Sequence, residues 1–267
     1  PPTPPPTPPT PSPTPTGNNQ KRVIYIGYWL TDDVISNLVT QWKSANVTHL
    51  LLPFIVQPNV ANALSATGSM IEAFQGLTTE SKKLITDNFT LGASYGGALQ
   101  MPGPYSLTFS EGAYYHNNAA KLAQDLIDLC SDDISYYELD IELINDEFDE
   151  CADFIGEICM ELRKRKPSCV ISHAPQTPYF NPSYASPGSD PVYTLIYKKY
   201  KTYFDFFNIQ FYNNGESNTY EEIFIKSNQN MPNTAVLELM NNSEIDASYI
   251  VVGKPVNVQE GNAGVYI

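Results

Sequence analysis

Three acidic residues, Glu138, Asp140 and Glu142, follow one another two positions apart in the sequence. In a β-strand, alternate side chains point to the same face, so this spacing predicts three carboxyl groups side by side on a face opposite apolar residues. Crowded carboxylates repel one another, and at least one of them is expected to hold a proton at neutral pH and to suit general-acid chemistry. The alternative interpretation is a solvent-exposed sheet face whose acids have no chemical role.

The acidic stretch belongs to the fourth of eight short apolar runs, which are separated by segments with helical periodicity. The runs cover residues 23–29, 49–56, 89–95, 136–143, 170–174, 206–212, 249–253 and 264–267. Strands that alternate with helices predict a parallel sheet, and eight of them predict a (β/α)8 TIM barrel. Catalytic groups of that fold lie at the C-terminal ends of the strands, where Asp140 and Glu142 fall. The eighth run stops at Ile267, so we expect a barrel that is incomplete at the C-terminal end of strand 8.

Two helical segments have clear apolar stripes, over residues 119–127 and 148–162. The second has acidic residues at its start and the basic run 163–166 at its end. This order complements the helix macrodipole, so we interpret the basic run as structural.

Residues 1–17 are almost entirely proline and threonine. Proline-rich sequence stays extended and acts as a semi-rigid spacer, since it has nothing to bury in a core. We therefore divide the chain into a linker, residues 1–20, and a catalytic barrel, residues 21–267. Such a linker favours a second, binding module upstream, and the alternative is a disordered tail with no partner domain.

The formal net charge of −14 argues against nucleic acid and anionic membrane as partners, and it favours a neutral polar substrate. No apolar run is long enough to cross a bilayer. The cysteines and histidines lack the spacing of metal ligands, so no metal is expected. Cys151 and Cys159, eight apart, fit one packing face of a helix, and His49 and His173 fit structural positions in strands.

The block Glu138-Leu139-Asp140-Ile141-Glu142 resembles the fourth-strand signature of family 18 glycoside hydrolases, the chitinase family, which reads Asp-Gly-x-Asp-x-Asp-x-Glu. Other matches follow in the family's order, and two of them look like the plant-type branch. The matching segments are Ser94-Tyr95-Gly96-Gly97, Ala174-Pro175-Gln176 with Pro178, Gln210-Phe211-Tyr212-Asn213-Asn214, and Gly253-Lys254-Pro255 with Gly264-Val265. The resemblance spans roughly residues 22–267.

The sequence departs from that signature in its first half. Ser135, Tyr136 and Glu138 stand where the family has Asp, Gly and Asp. Glu138 is one methylene longer than Asp, so we expect it to pair with Asp140 from a shifted position and to alter the pH dependence. Ser135 is expected to replace the outermost acid by a hydrogen bond. The family's tryptophan near the end of strand 8 is absent from this sequence.

The resemblance implies a retaining, substrate-assisted hydrolysis of β-1,4 bonds between N-acetylglucosamine units, without metal or organic cofactor. Glu142 would protonate the glycosidic oxygen and then activate water. The substrate's acetamido oxygen would attack the anomeric carbon. Asp140, assisted by Glu138, would stabilise the resulting oxazolinium ion, and Tyr212 would hold the acetamido oxygen in line.

Several residues at strand ends are candidates for substrate binding. Gln210 shares the strand face of Tyr212 and Asn213 follows it, so both are expected to hydrogen-bond the sugar. Aromatic rings stack on pyranose rings, and Trp29, Tyr95 and Tyr179 are placed where such a role fits.

The leading hypothesis is therefore a secreted, monomeric chitinase that acts on chitin or N-acetylglucosamine oligosaccharides, with a carbohydrate-binding module as the predicted upstream module. An endo-β-N-acetylglucosaminidase that acts on N-glycans shares this chemistry. A non-catalytic carbohydrate-binding protein on the same barrel is the alternative from another class, and an unrelated barrel enzyme with a metal is a third.

Overall fold

The computed structural model describes residues 20–97, 112–144, 147–214, 219–257, 259 and 261. In this part of the chain seven parallel strands form one sheet, in which each strand pairs with the next in chain order. The strands are β1 (Val23–Tyr25), β2 (His49–Ile55), β3 (Thr90–Gly96), β4 (Tyr136–Asp140), β5 (Val170–His173), β6 (Phe206–Gln210) and β7 (Ile250–Gly253). The sheet curls into a partial barrel, which confirms the predicted fold class as an incomplete (β/α)8 barrel. The predicted eighth strand, residues 264–267, and most of the predicted linker lie outside the described residues.

Helices connect the strands and cover the outside of the sheet. They are α1 (Asp32–Ser44), α2 (Met70–Gln75), α3 (Thr79–Thr86), α4 (Ala119–Leu129), α5 (Phe148–Arg165), α6 (Val192–Tyr200), α7 (Tyr220–Phe224) and α8 (Val236–Asn242), with 3₁₀ turns at Thr177–Phe180, Pro182–Tyr184 and Ala247–Tyr249. Helices α4 and α5 confirm the two segments predicted from apolar periodicity. The described helices include none that is both long enough and apolar enough to span a membrane.

Arg163, in the basic run at the end of α5, links three elements of the fold. Arg163 is buried, and its guanidinium donates to Asp205 Oδ2 at 2.8 Å and to the carbonyl of Cys169. Asp205 Oδ2 also accepts the backbone N–H of Ile171 at 2.8 Å. Arg163 therefore ties the end of α5 to the start of β5 and β6, in addition to any effect of its charge on the helix dipole.

The predicted structural roles of the cysteines and histidines agree with their positions. Cys151 and Cys159 are buried on α5, and Cys159 Sγ lies 3.4 Å from His173 Nε2 on β5. His173 packs edge-on against the ring of Phe204, and burial lowers its pKa to about 3. His49 lies on β2, and burial together with the charge of Lys21 lowers its pKa to about 4. No group of three or more His, Cys, Asp or Glu residues in the described ranges is placed to hold a metal ion.

The lower part of the barrel interior is filled by an apolar cluster of Leu51, Tyr136 and Phe206. Tyr136 stands where the resembling signature has glycine, so its ring needs space that a neighbouring strand must leave. Gly92 of β3 leaves that space, because it pairs with Tyr136 and a Cβ built on it would lie 2.6–2.9 Å from the Tyr136 side chain. The larger residue on β4 is thus matched by the smallest residue on β3.

Replacing Gly92 by Ala is expected to lower the free energy of unfolding by about 1–3 kcal/mol, because the added methyl group overlaps a ring fixed in a packed interior. Denaturant unfolding would measure the change, with Gly27→Ala as the control, since a Cβ at Gly27 meets no atom within 4 Å. In a Tyr136→Ala background, Gly92→Ala should change the free energy of unfolding little, because the ring that it would overlap is gone. An equal loss of stability in both backgrounds would contradict the proposed fit of Tyr136 against Gly92.

Candidate active site

The inward faces of β3 to β6 bring a set of polar side chains together. The register aligns Ser94 with Glu138 and Gly96 with Asp140, and on the other side Glu138 with Ser172. Because alternate residues of a strand share a face, Ser94, Glu138 and Asp140 all point into the barrel. The acidic face predicted for β4 is therefore an interior face, and both Glu138 and Asp140 are buried on it.

Glu138 lies in the middle of the barrel among neutral hydrogen-bond donors. Ser94 Oγ donates to its Oε2 at 3.0 Å. Its Oε1 accepts from Ser172 Oγ at 3.1 Å, Tyr136 Oη at 3.3 Å and Asn208 Nδ2 at 3.4 Å. The Tyr25 hydroxyl is a further donor. Burial raises the pKa of Glu138, and the hydrogen bonds from the surrounding donors oppose that rise.

This arrangement revises the expected roles of the unusual residues at the start of the signature. Glu138 receives its described hydrogen bonds from Tyr136 on its own strand and from side chains of the surrounding strands. It influences Asp140 through its charge rather than as the predicted partner. Tyr136 reaches Glu138 from below and also lies 2.7 Å from Ser172 Oγ. Ser135, expected to replace an acid by a hydrogen bond, is exposed ahead of β4.

Asp140 and Glu142 are bridged by one amide group. Gln210 Nε2 lies 2.9 Å from Asp140 Oδ1 and 2.9 Å from Glu142 Oε1, and it also lies 2.9 Å from the carbonyl oxygen of Ala174. Gln210 was predicted to bind substrate, and the structure brings it into contact with both predicted catalytic acids. The amide fixes the two carboxyl groups next to each other at the C-terminal end of the strands.

Electrostatics favour a protonated Asp140. Burial raises its pKa well above the usual range, and the negative charges of Glu142 and Glu138 raise it further. A hydrogen bond from protonated Asp140 to Glu142 acts in the same direction. The direction of this shift agrees with the expectation that one of the three crowded acids holds a proton, and it favours Asp140 for that role. The Tyr212 hydroxyl is influenced by the same acids. Burial raises its pKa, and the charges of Asp140, Glu142 and Glu138 raise it further.

Glu142 itself lies beyond the end of its strand. The sequence predicted β4 over residues 136–143, but the strand ends at Asp140 and Glu142 follows in the loop, where it is partly exposed. Tyrosine hydroxyls hold this loop: Tyr193 donates to the carbonyl of Ile141, and Tyr179 donates to the carbonyl of Glu142. Gln176 Nε2 donates to Glu142 Oε2 at 2.9 Å. Tyr193 and Gln176 were not predicted as site residues, and Tyr179 was predicted for another role, stacking on a sugar ring.

Two aromatic residues predicted to face substrate are buried instead. Tyr95 is 1% exposed and packs in the hydrophobic core outside the sheet, because its neighbour Ser94 takes the inward position on β3. The alternation of β3 already implied this outward position. Tyr179 is 5% exposed and uses its hydroxyl on the loop that carries Glu142. Neither ring presents a face on which a sugar could stack.

The other two residues predicted to contact substrate, Trp29 and Asn213, are exposed. Trp29 is 51% exposed and follows β1, at the same end of the sheet as Glu142. Asn213 is exposed directly after Tyr212, and its φ of 59° places it in the left-handed region that asparagine tolerates. Their roles in substrate binding stay predictions.

Phe54 is a candidate site residue that the sequence reasoning missed. The pairing of β2 with β3 shifts register between Leu52 and Ile55, as in a β-bulge, which re-aims a side chain. The Phe54 ring centroid lies 6.4 Å from that of Tyr25, and the ring would lie 3.5 Å from a Cβ built on Gly97. Pro53 inside an apolar run was the available signal, since proline in a strand often marks a bulge.

Comparisons with known proteins identify the fold. No protein-family model matches the sequence, and no curated protein matches it by sequence. Among solved structures, a GH18 chitinase from Pseudoalteromonas aurantia is 20% identical with a TM-score of 0.62, over 93% of this chain and 85% of that one. A fungal endo-β-N-acetylglucosaminidase from glycosyl hydrolase family 18 is 13% identical with a TM-score of 0.62, over 94% and 81% of the two chains. A GH18 chitinase from Cycas revoluta, in complex with (GlcNAc)3, is 14% identical with a TM-score of 0.60, over 89% and 69%.

These neighbours cover nearly all of the described barrel, and they carry the family name that the strand motifs suggested. At identities of 13–20% the likeness concerns the course of the backbone rather than the chemistry. The protein thus has the fold of the family 18 glycoside hydrolases, with Glu138 and Asp140 on its fourth strand and Glu142 in the loop that follows.

Proposed function

We propose that this protein is a chitinase-like glycoside hydrolase of family 18 that cleaves β-1,4 bonds between N-acetylglucosamine units with retention of configuration. The observation that carries the proposal is the bridging of Asp140 and Glu142 by Gln210 at the C-terminal end of β4. One carboxyl group of this pair, Asp140, is buried and has a raised pKa, and the other, Glu142, is partly exposed. This is the asymmetry that proton transfer to a bound substrate requires.

The proposed mechanism assigns a step to each group. Glu142 donates a proton to the leaving glycosidic oxygen as the bond to the anomeric carbon breaks. The acetamido oxygen of the substrate forms the new bond to that carbon, which gives an oxazolinium ion without a covalent bond to the enzyme. Asp140 supplies the proton that Glu142 donates, passing it along their shared hydrogen bond. The resulting Asp140 carboxylate accepts a hydrogen bond from the acetamido N–H and faces the developing cation. Tyr212 directs its hydroxyl to the acetamido oxygen. Water activated by Glu142 then opens the ring.

The aromatic residues at this end of the barrel support a sugar ligand. Trp29 offers an exposed ring after β1, and Phe54 lies partly exposed beside Tyr25 at the end of β2. Apolar ring faces pack against the C–H faces of pyranose sugars, while nearby amide groups such as that of Asn213 suit hydroxyl and acetamido groups. The formal net charge of −14 is compatible with an uncharged substrate.

The proposal is tested by incubating the protein with chitin oligomers and, separately, with a high-mannose N-glycan. We expect shorter β-anomeric N-acetylglucosamine oligomers from the first substrate, detected by mass spectrometry and by NMR of the first product formed. Cleavage of the N-glycan alone would favour an endo-β-N-acetylglucosaminidase, the activity named for one structural neighbour. Oligomer binding by calorimetry without product from either substrate would favour a carbohydrate-binding protein.

We also propose that the protein is secreted and monomeric, and that residues 1–20 link the barrel to a carbohydrate-binding module. The support is the composition of residues 1–17, which are almost entirely proline and threonine and suit an extended spacer.

A further inference from the structure

Glu142 occupies a position that the sheet does not fix. The described strand β4 ends at Asp140, so the hydrogen-bond ladder that orients Asp140 stops before Glu142. A group that donates a proton to a substrate must be held close to its productive geometry, and loop residues need contacts from elsewhere to achieve this. Those contacts identify the residues on which the orientation of Glu142 depends.

The first contact comes from Gln176, in the segment after β5. An isolated parallel bridge pairs Gln176 with Gln210, and Gln210 N donates to the carbonyl of Pro175 at 2.8 Å. This backbone pairing places the two glutamine side chains next to each other. Gln210 Nε2 then contacts Glu142 Oε1 and Gln176 Nε2 contacts Glu142 Oε2, each at 2.9 Å. The carboxylate is therefore held at both oxygens, which fixes its plane.

The second contact acts on the backbone of Glu142. The Tyr179 hydroxyl donates to the Glu142 carbonyl and accepts the backbone N–H of Ile144 at 3.3 Å. Tyr179 itself is held by its neighbours, since its ring packs edge-on against Tyr184 with centroids 5.0 Å apart. Its turn, Thr177–Phe180, directly follows Gln176. Both contacts therefore come from one short segment, residues 176–179.

We propose that Gln176 and Tyr179 are positioning residues, which orient the Glu142 carboxylate and the loop that carries it. The inference rests on the proposed function, because it assigns Glu142 the role of acid and base. It also reassigns Tyr179, which the sequence suggested as a sugar-stacking ring. Neither residue needs to touch substrate in order to act. Their loss should therefore lower turnover more than substrate binding.

Gln176→Met tests the first contact, because methionine keeps the length of the side chain and removes the amide donor. We expect kcat on chitin oligomers to fall about 10- to 100-fold, the effect of misplacing a reacting group by about 1 Å, with KM within about twofold of the wild type. The matched control is Gln41→Met on the exposed surface of α1, with unchanged kcat and KM. A raised KM with unchanged kcat would overturn the proposal and assign Gln176 to substrate binding.

Crystal structures of the wild type and of Gln176→Met provide a readout that does not depend on turnover. We expect the Glu142 carboxylate of the variant to turn away from Gln210 or to occupy more than one orientation. A single, unchanged orientation of Glu142 would overturn the proposal whatever the rates. A wild-type protein without turnover would count against the proposed function, while the crystallographic comparison would still decide the role of Gln176.

Tyr179→Phe tests the second contact and removes only the hydroxyl. We expect kcat to fall with KM nearly unchanged, and the double variant with Gln176→Met to lose less than the product of the two single effects, since both contacts orient one group. If the double variant lost kcat by the full product of the two single effects, a shared action on Glu142 would be contradicted.

Discussion

Replacing Glu142 by Gln is expected to reduce the hydrolysis of chitin oligomers by about 10³-fold, the scale of losing a positioned general acid and base. The proposed mechanism uses Glu142 twice, first to protonate the leaving oxygen and then to activate water. An amide can do neither. Oligomer binding should survive, because the substitution keeps the side chain's length and leaves the surrounding residues in place. Initial rates on a defined oligomer, together with calorimetry on the same ligand, would measure both effects.

The fold should tolerate this substitution. Glu142 is partly exposed in a loop, and its carboxylate accepts hydrogen bonds from Gln176 and Gln210. A glutamine can accept only one of them well, but it also removes a negative charge next to Asp140. We therefore expect thermal stability close to that of the wild type. Glu80→Gln, in the exposed first turn of α3, is the matched control and should keep full activity. Turnover of Glu142→Gln within tenfold of the wild type would show that another group is the acid.

Much of the fold was predictable because each strand of the barrel is a short apolar run separated from the next by a helix. The seven described strands all fall within or next to the predicted runs, and α4 and α5 follow the two predicted apolar stripes. The inward direction of Asp140 and Glu138 follows from strand alternation alone. What periodicity cannot give is the point at which a strand ends, and β4 ends two residues before Glu142.

The contacts that define the site are the part that the sequence did not show. Gln210 reaches residues 68 and 70 positions away, and Tyr179 reaches a backbone carbonyl 37 positions away. An aromatic residue near a strand end suits both a sugar platform and a core position, so composition could not separate Trp29 from Tyr179. Tyr95 differs, because the inward position of Ser94 on the same strand already excluded it.

Most of the hydrogen bonds to Glu138 also join residues that are far apart in the sequence, so the sequence could not show them. Its donors come from β1, β3, β4, β5 and β6, and they meet only when the sheet closes around them. In the sequence, Ser172 and Asn208 are polar residues within largely apolar runs, a pattern that is compatible with an exposed position as well as with a buried one. The departure from the family signature at residue 138 is thus accommodated by residues on four other strands.

Replacing Asp140 by Asn is expected to lower kcat about 10²-fold with little change in KM, the scale of losing one preorganised electrostatic group. Asparagine has nearly the same shape as aspartate, and its oxygen can still accept the hydrogen bond from Gln210 Nε2, which lies 2.9 Å from Asp140 Oδ1. The substitution therefore keeps the contact and removes the ionisable group. What is lost is the negative charge that would face the oxazolinium ion.

The same substitution should move the alkaline limb of the pH–rate profile to lower pH. Burial and the charges of Glu142 and Glu138 raise the pKa of Asp140, so Asp140 keeps its proton to a higher pH than an isolated aspartic acid would. Asp140→Asn removes the group that holds this proton, so the site loses the proton needed by the leaving oxygen at a lower pH. Measuring kcat against pH would show the shift, with Asp133→Asn, exposed before the start of β4, as the control. An alkaline limb that stays in place in Asp140→Asn would mean that the two acids do not share a proton, and that Asp140 acts on the substrate independently of Glu142.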